Sequence, residues 1–459
     1  MSAAAHLGWL GIVRLGLVQT ALGAIVVLTT STLNRVMVVE LALPALLPGA
    51  LVALHHVLQM LRPRLGHGSD VGGRRTPWIV GGMAVLSLGG IAAAIATAWM
   101  EVNLGAGIAL AVAAFVMIGL GVGAAGTTLL ALLAKRVAPA RRAAAATVVW
   151  VMMIFGFIVT AGLAGHFLDP FSSARLVAVA TVVCVLAFLL ALVAVRNVEG
   201  SAALTLATPV DSGGGRPPRA DFRAAIREVW SEPQARRFTI FVFVSMLAYS
   251  AQDLILEPFA GLVFGLTPGE STKLSGVQNG GVLAGMLLVG LCSTALGGRR
   301  LGSLRAWTIG GCVASAAALA GLAIAGFVGP GWPLRPSVFL LGVANGAFAV
   351  AAIGSMMALA GAGRAGTEGI RMGLWGGAQA IAFAVGGLAG TGAVDLARAL
   401  LDTNVGAYAI VFAAEALVFL VAAQLAARVV GTAVRTEAHA SSEPVPAAPR
   451  ALAGAWARQ

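Results

Sequence analysis

At 459 residues, with 59% hydrophobic and only 10% charged side chains and a mean hydropathy of +0.92, the chain is too apolar for a water-soluble domain, in which about a quarter of residues are charged. Its net charge of +12 does not imply nucleic acid, because the arginines are scattered over short loops and form no single basic stripe. Three isolated cysteines and six histidines have no metal-ligand or disulfide spacing, and no polar catalytic domain is present, so an enzyme is not expected.

Continuous apolar runs, each near the roughly 20 residues a bilayer requires, predict an all-α integral membrane protein of about twelve helices. They fall near 15–33, 38–61, 78–98, 105–134, 144–166, 175–195, 238–264, 274–296, 304–327, 337–360, 370–394 and 405–428. The first run has no cleavage site and reads as a retained helix. With both termini on the cytoplasmic side, that side receives 25 of the 30 lysines and arginines. The positive-inside bias therefore predicts an N-in/C-in topology.

The first helix carries Gln19 and Thr20, and a polar block of Asn34, Arg35 and Glu40 follows at the expected turn into the second helix. Intramembrane charge is costly and usually has a task. Toward the other end of the second helix lie His55, His56 and Gln59; the spacing puts Gln59 on a face with either histidine. A neutral imidazole there has two readings: hydrogen bonding to a neighbouring helix, or ligation of the magnesium of a chlorin ring.

A basic glycine-rich loop comes next: Gly66, Asp70, Gly73, Arg74 and Arg75, in the sequence GHGSDVGGRR. Its echo, Gly298, Arg299 and Arg300, follows the eighth helix. This repeat predicts two six-helix halves, residues 1–196 and 237–430, in the parallel arrangement of the major facilitators. The loop resembles the signature between the second and third helices of that superfamily, although no arginine directly follows Asp70. It predicts fold and a gate at the cytoplasmic side, and nothing about cargo.

Between the halves, residues 197–236 read as a cytoplasmic linker with an amphipathic helix at 221–230; residues 431–459 read as a disordered tail. Two glycine patterns, Gly121-x-Gly123-x-x-Gly126 and Gly361-x-Gly363-x-x-Gly366, match the dinucleotide fingerprint. They lack the strand-to-helix context that gives it meaning and are read as helix packing.

The seventh helix carries Gln252, Asp253 and Glu257, with Pro258 expected to kink or end it. Helix eight brings Gln278 and Asn279, helix ten Asn345, helix eleven Gln379 and helix twelve Glu415. Helices one and seven are equivalent under the repeat. Two arrangements are open: Arg35 meets Asp253 and Glu257 across the seam between halves, or Arg35 pairs locally with Glu40.

The blocks LNRVMVVELALPALLPG, GHGSDVGGRRTPWI, AYSAQDLILEPFAGLVFGLTPGESTKLSGVQNGG and GLWGGAQAIAFAVGG resemble the PucC/LhaA family, a branch of the facilitator superfamily found in phototrophs. The resemblance spans residues 10–430 and looks closest to the branch encoded with bacteriochlorophyll-synthesis genes. It implies a bacterial inner (intracytoplasmic) membrane location and a part in assembling light-harvesting and reaction-centre complexes. Bacteriochlorophyll or a precursor would be bound cargo, with no intrinsic cofactor. Antenna polypeptides, pigment-synthesis enzymes such as bacteriochlorophyll synthase, and membrane lipid would be partners. Two alternatives stand beside it: an alternating-access transporter of a tetrapyrrole or other amphipathic molecule, and an accessory subunit of pigment synthesis. The sequence supplies no clustered aspartates for a prenyl-diphosphate site.

Overall fold

The computed structural model describes residues 7–62, 65, 74–138, 141–196, 198, 227, 229–295, 303–361 and 368–440. The regular secondary structure among the described residues is helical. We label the helices α1 (Trp9–Glu40), α2 (Leu46–Leu61), α3 (Thr76–Trp99), α4 (Leu104–Arg136), α5 (Arg142–Phe167), α6 (Ser173–Val195), α7 (Pro233–Phe264), α8 (Pro268–Ala295), α9 (Leu304–Val328), α10 (Leu334–Gly361), α11 (Glu368–Leu401) and α12 (Asn404–Ala440). Eleven contain stretches long and apolar enough to cross a bilayer; α2 is shorter. Large apolar side chains such as Leu88, Phe155, Leu186, Leu291, Phe327, Leu340 and Leu417 face outward, as a lipid-embedded surface requires. The protein is a multi-pass membrane protein.

α1 to α6 share one buried core and α7 to α12 another. The packing repeats. α1 lies on α5 as α7 lies on α11, and α3 lies on α6 as α9 lies on α12. The two cores meet through α2 on α11 and α5 on α8, which exchange under the same repeat. Glycines allow the closest crossings. A Cβ on Gly346 would lie 2.0 Å from the Val282 carbonyl oxygen, and one on Gly281 2.2 Å from that of Phe339, so α8 and α10 touch backbone to backbone. At Gly121 a Cβ would meet the Leu86 amide at 2.7 Å, so this part of the fingerprint-like pattern packs α4 on α3. Gly363 and Gly366 lie outside the described residues.

Three boundaries differ from expectation: the end of α1, the start of α2 and the end of α12. α1 does not stop at the Asn34–Arg35 block; it continues to Glu40, and the turn follows at Leu41–Ala45. The break belongs to Ala42, at φ 50°, and Pro44, not to the charged residues, which helices tolerate once their polar atoms are bonded. Consequently α2 begins at Leu46 rather than near residue 38. α7 runs through Pro258 to Phe264, the end expected for it, and closes at Gly265 with φ 69°. Finally α12 is helical to Ala440, into the segment expected to be a tail; residues 441–459 and most of the linker lie outside the described residues.

Candidate functional site

The polar residues gather at two levels. The first is the end of the bundle opposite the arginine-rich loops. Here α1 departs from regular geometry: Leu28–Thr32 and Val36–Glu40 are π-helical and flank Leu33–Arg35. Wide turns of this kind redirect side chains and are frequent at functional positions. They aim Ser31, Thr32, Asn34 and Arg35 at α7 and α8.

Each then finds a specific partner. Ser31 donates to the Glu257 carboxylate and lies 3.2 Å from the Ser275 hydroxyl. The Thr32 and Thr272 hydroxyls are 3.2 Å apart. Asn34 Nδ2 donates to the Leu254 carbonyl at 2.6 Å. That carbonyl is four residues before Pro258, where the proline ring removes the helical N–H that would have bonded it. Asn34 supplies the missing donor from the other half of the molecule, which is why α7 tolerates its proline.

Arg35, 2% exposed, forms its ion pair with Glu40 and donates through its other terminal nitrogen to the Leu266 carbonyl at 2.6 Å, just past the end of α7. The polar block of α1 therefore does meet the equivalent helix across the seam, by hydrogen bonds. The direct ion pair is the local one. Asp253 instead accepts from Gln278 Nε2 at 3.1 Å, and Asn279 bonds its own helix at the Ser275 carbonyl, 2.9 Å away. Gln252 is fully buried, and neither of its amide atoms has a partner among the described residues.

Two further contacts tie the halves at this end. Asp395 of α11 accepts from the Ala45 and Leu46 amides at 3.0 and 2.7 Å, capping the start of α2. Asp169, just beyond α5, accepts from the Gly269 amide at 3.1 Å and the Thr267 hydroxyl at 2.8 Å at the start of α8. Since α2 and α8, and α11 and α5, are repeat equivalents, the same device occurs twice.

The second level lies nearer the arginine-rich end. His55 is buried against α4, where a Cβ on Gly119 would come within 2.9 Å of the His55 carbonyl oxygen. His55 Nε2 is 2.7 Å from Gln59 Nε2, while its Nδ1 has no partner. His56 is half-buried, with Gln59 Nε2 3.5 Å from its Nδ1 and the Phe383 ring of α11 5.2 Å away. Tyr249 of α7 lies 5.9 Å from the same phenylalanine. The two rings lie edge to face 4.7 Å apart and share Gln59; His55 is the more buried, and His56 borders an aromatic-lined junction between the halves. Gln379, Gln19 and Thr20 join helices within each half; Gln379 Nε2 is 3.8 Å from Met246 sulfur, Gln19 Nε2 3.1 Å from Met153 sulfur, and Thr20 donates to the Met152 carbonyl at 2.9 Å.

Of the gate motif, Arg74 is exposed and Arg75 donates to the Ala131 carbonyl of α4 at 2.7 Å. Gly66, Asp70, Gly73, Gly298, Arg299 and Arg300 lie outside the described residues. No group of three or more metal-ligating side chains occurs among the described residues.

Ser31, Thr272, Ser275, Asp169, Thr267 and Asp395 were not singled out by sequence. Serines and threonines are too common in membrane helices to carry a signal alone. Asp395 and Asp169 carry no local signal; the fold brings them to another helix's first turn.

Solved structures share this architecture. The nucleoside transporter NupG superposes with a TM-score of 0.65 at 12% identity, over 91% of this chain and 99% of that one. The peptide transporter POT in complex with sulfate gives 0.67 at 14%, over 95% and 98%. The fold is that of the major-facilitator transporters; at such identities the likeness speaks for architecture alone. The PUCC protein family model matches residues 32–434, and the chain belongs to that family. It is 57% identical over 424 residues to the bacteriochlorophyll synthase 44.5 kDa chain of Rhodobacter capsulatus, covering 92% of this chain and 96% of that one. It is 28% identical over 441 residues to Protein PucC of the same species, covering 90% of each.

Proposed function

We propose that the protein is a non-enzymatic membrane assembly factor that binds bacteriochlorophyll, or a late precursor, and delivers it as light-harvesting and reaction-centre complexes are built. The near full-length 57% identity to a chain named for bacteriochlorophyll synthase carries this reading. The polar inventory is compatible with it. A chlorin is a large apolar ring with one metal seeking an axial base, and its binding rests mainly on apolar area with a few groups fixing orientation. His56, half-buried beside Phe383 and Tyr249 at the junction between halves, is the axial candidate; His55, enclosed by α2 and α4, is a packing residue. Bacteriochlorophyll synthase and antenna polypeptides are the partners this role calls for, in the inner membrane of a phototroph.

The test is the absorption spectrum of the protein purified under mild conditions from a pigment-making host. Co-purified pigment with a band shifted from that of free pigment in the same detergent is expected, with the shift reduced in His56→Leu and kept in His55→Leu. A colourless preparation would refute the proposal.

A second reading, an alternating-access transporter of an amphipathic molecule, is favoured by one observation: the inter-half bonds described above gather at one end, around the two capped helix starts. Saturable, gradient-dependent uptake into vesicles would decide for it.

A further inference from the structure

Glu415 has no part in the seam or the histidine junction. It sits on α12 at 5% exposure, and neither carboxylate oxygen has a hydrogen-bond partner among the described residues. Its walls are aromatic. One turn toward the opposite end, Phe412 packs on Phe259 of α7 with ring centroids 5.0 Å apart. One turn toward the arginine-rich end, Phe419 packs on Phe348 of α10 at 5.7 Å, and Phe348 on Tyr249 of α7 at 6.3 Å. α7 and α12 run antiparallel, so the residues of α7 between Tyr249 and Phe259 stand level with Glu415. Asp253 is among them. Asp253 is only half-buried and holds one bond, from Gln278 of α8.

Four charged groups on the helices packed against this layer have other partners. Arg305 of α9 bonds the Ala427 carbonyl, about 18 Å along α12 from Glu415 at ~1.5 Å per residue. Arg398 of α11 bonds Tyr408, about 10 Å the other way, beside Asp395. Arg371 of α11 is paired with Glu232. Glu257, one turn beyond Asp253 on α7, is bonded by Ser31. A carboxylate without a cation or a donor is not sustained in an apolar layer.

We infer that Glu415 and Asp253 form a membrane-embedded proton-binding site, in which Glu415 holds the proton in the resting protein and Asp253 is the group through which it exchanges. The asymmetry of burial assigns the roles: Asp253 reaches the less enclosed side, and Glu415 is shut within the aromatic layer. The exchange is a simple transfer, a proton passing from water to the Asp253 carboxylate and on to Glu415, with no other bond made or broken. Intramembrane acids of this kind commonly belong to proton pathways. The site stands apart from the pigment reading and does not depend on it.

Infrared spectroscopy of the full chain in lipid nanodiscs tests this directly. The carbonyl stretch of protonated carboxyls is followed as pH is stepped from mildly acidic to mildly alkaline, in sodium-free buffer and again with sodium added. We expect a band at neutral pH that declines in alkali; E415Q removes its largest component, D253N leaves a band that no longer follows the pH steps, and E257Q subtracts a separate component only. E415Q, which mimics the protonated side chain, should match the wild type in thermal midpoint. Spectra of E415Q and D253N indistinguishable from wild type would overturn the inference. So would loss of the band on adding sodium at fixed pH, which would mark a cation site. A large drop in the midpoint of E415Q would also overturn it, since Glu415 would then be a charged and paired structural group.

Discussion

The bond from Asn34 to the Leu254 carbonyl makes a prediction in which one substitution rescues another. In Asn34→Leu the carbonyl loses its 2.6 Å donor, and Pro258 ensures that α7 cannot replace it. Orphaning a buried carbonyl costs about 1–3 kcal/mol in general. Side-chain hydrogen bonds between membrane helices average only about 0.6 kcal/mol and reach about 1.7 kcal/mol. The larger value applies here, because the carbonyl has no alternative donor in its helix. Part of the cost is offset, since Asn34 Oδ1 is itself buried without a partner and leaves with the side chain. We therefore expect Asn34→Leu to destabilise by about 1.5 kcal/mol, close to tenfold in the unfolding equilibrium. In a Pro258→Ala background the restored N–H bonds Leu254, and Asn34→Leu becomes neutral or slightly stabilising. The four corners of the cycle are read by denaturant unfolding of the purified protein in one detergent. An equal cost of Asn34→Leu with proline and with alanine at 258 would refute the account of how α7 keeps its proline.

Three further outcomes follow from the same geometry. In the Arg35–Glu40 pair the carboxylate is 32% exposed, so Glu40→Gln should cost about 2 kcal/mol, between the buried and surface limits; it should cost almost nothing in an Arg35→Met background, whereas Glu257→Gln should cost the same in both, and strong coupling of Arg35 to Glu257 would restore the cross-seam ion pair. Gly346→Ala should lower the thermal midpoint and the yield of folded protein, because its Cβ meets the Val282 carbonyl of α8, while Gly377→Ala, with nothing within 4 Å, should match wild type. Asp395→Ala removes charge-assisted bonds of about 1.5–3 kcal/mol and should raise hydrogen exchange at the start of α2, leaving α3 unchanged; Asp169→Ala should act the same way at the start of α8.

The apolar runs made the membrane helices legible, because spanning a bilayer imposes a length on each segment, although α2 is shorter than the run expected for it. The turn after α1 was misplaced because charge was read as a break. A helix stops where its backbone geometry changes, at Ala42 and Pro44, and a buried Asn34 or Arg35 only needs partners. The end of α7 at Phe264 was placed correctly, but how the helix keeps Pro258 was not legible: the cost is met by a residue 224 positions away, as Asn34 does, and no local pattern encodes that. The residues with the plainest long-range work, Ser31, Asp169 and Asp395, have no signature at all, since capping another helix leaves no spacing rule in sequence. Glu415 was visible as an intramembrane acid, but its place between the Phe412–Phe259 and Phe419–Phe348 contacts, level with the Asp253 stretch of α7, belongs to the packing of α7 on α12.

The two aspartate caps bear on how the halves can move. A carboxylate at a helix start bonds otherwise orphaned amides and sits at the positive end of the helix dipole, so each cap is strongest when its helix is aligned with it and weakens quickly with tilt. Because the caps are related by the repeat, tilting one half against the other strains both together; neither can be released as a local loop movement. The remaining contacts of this end, from Ser31, Thr32, Asn34 and Arg35 to α7, α8 and the segment that follows α7, are hydrogen bonds with no ion pair among them. Such a seam is directional and cooperative, yet each bond in it is individually weak. A seam of that composition suits a protein that must separate its halves as rigid bodies without paying to pull apart buried opposite charges. It explains why the arginine of α1 is partnered within its own helix: Arg35 can leave the Leu266 carbonyl while keeping Glu40, so its charge is never left alone in the membrane.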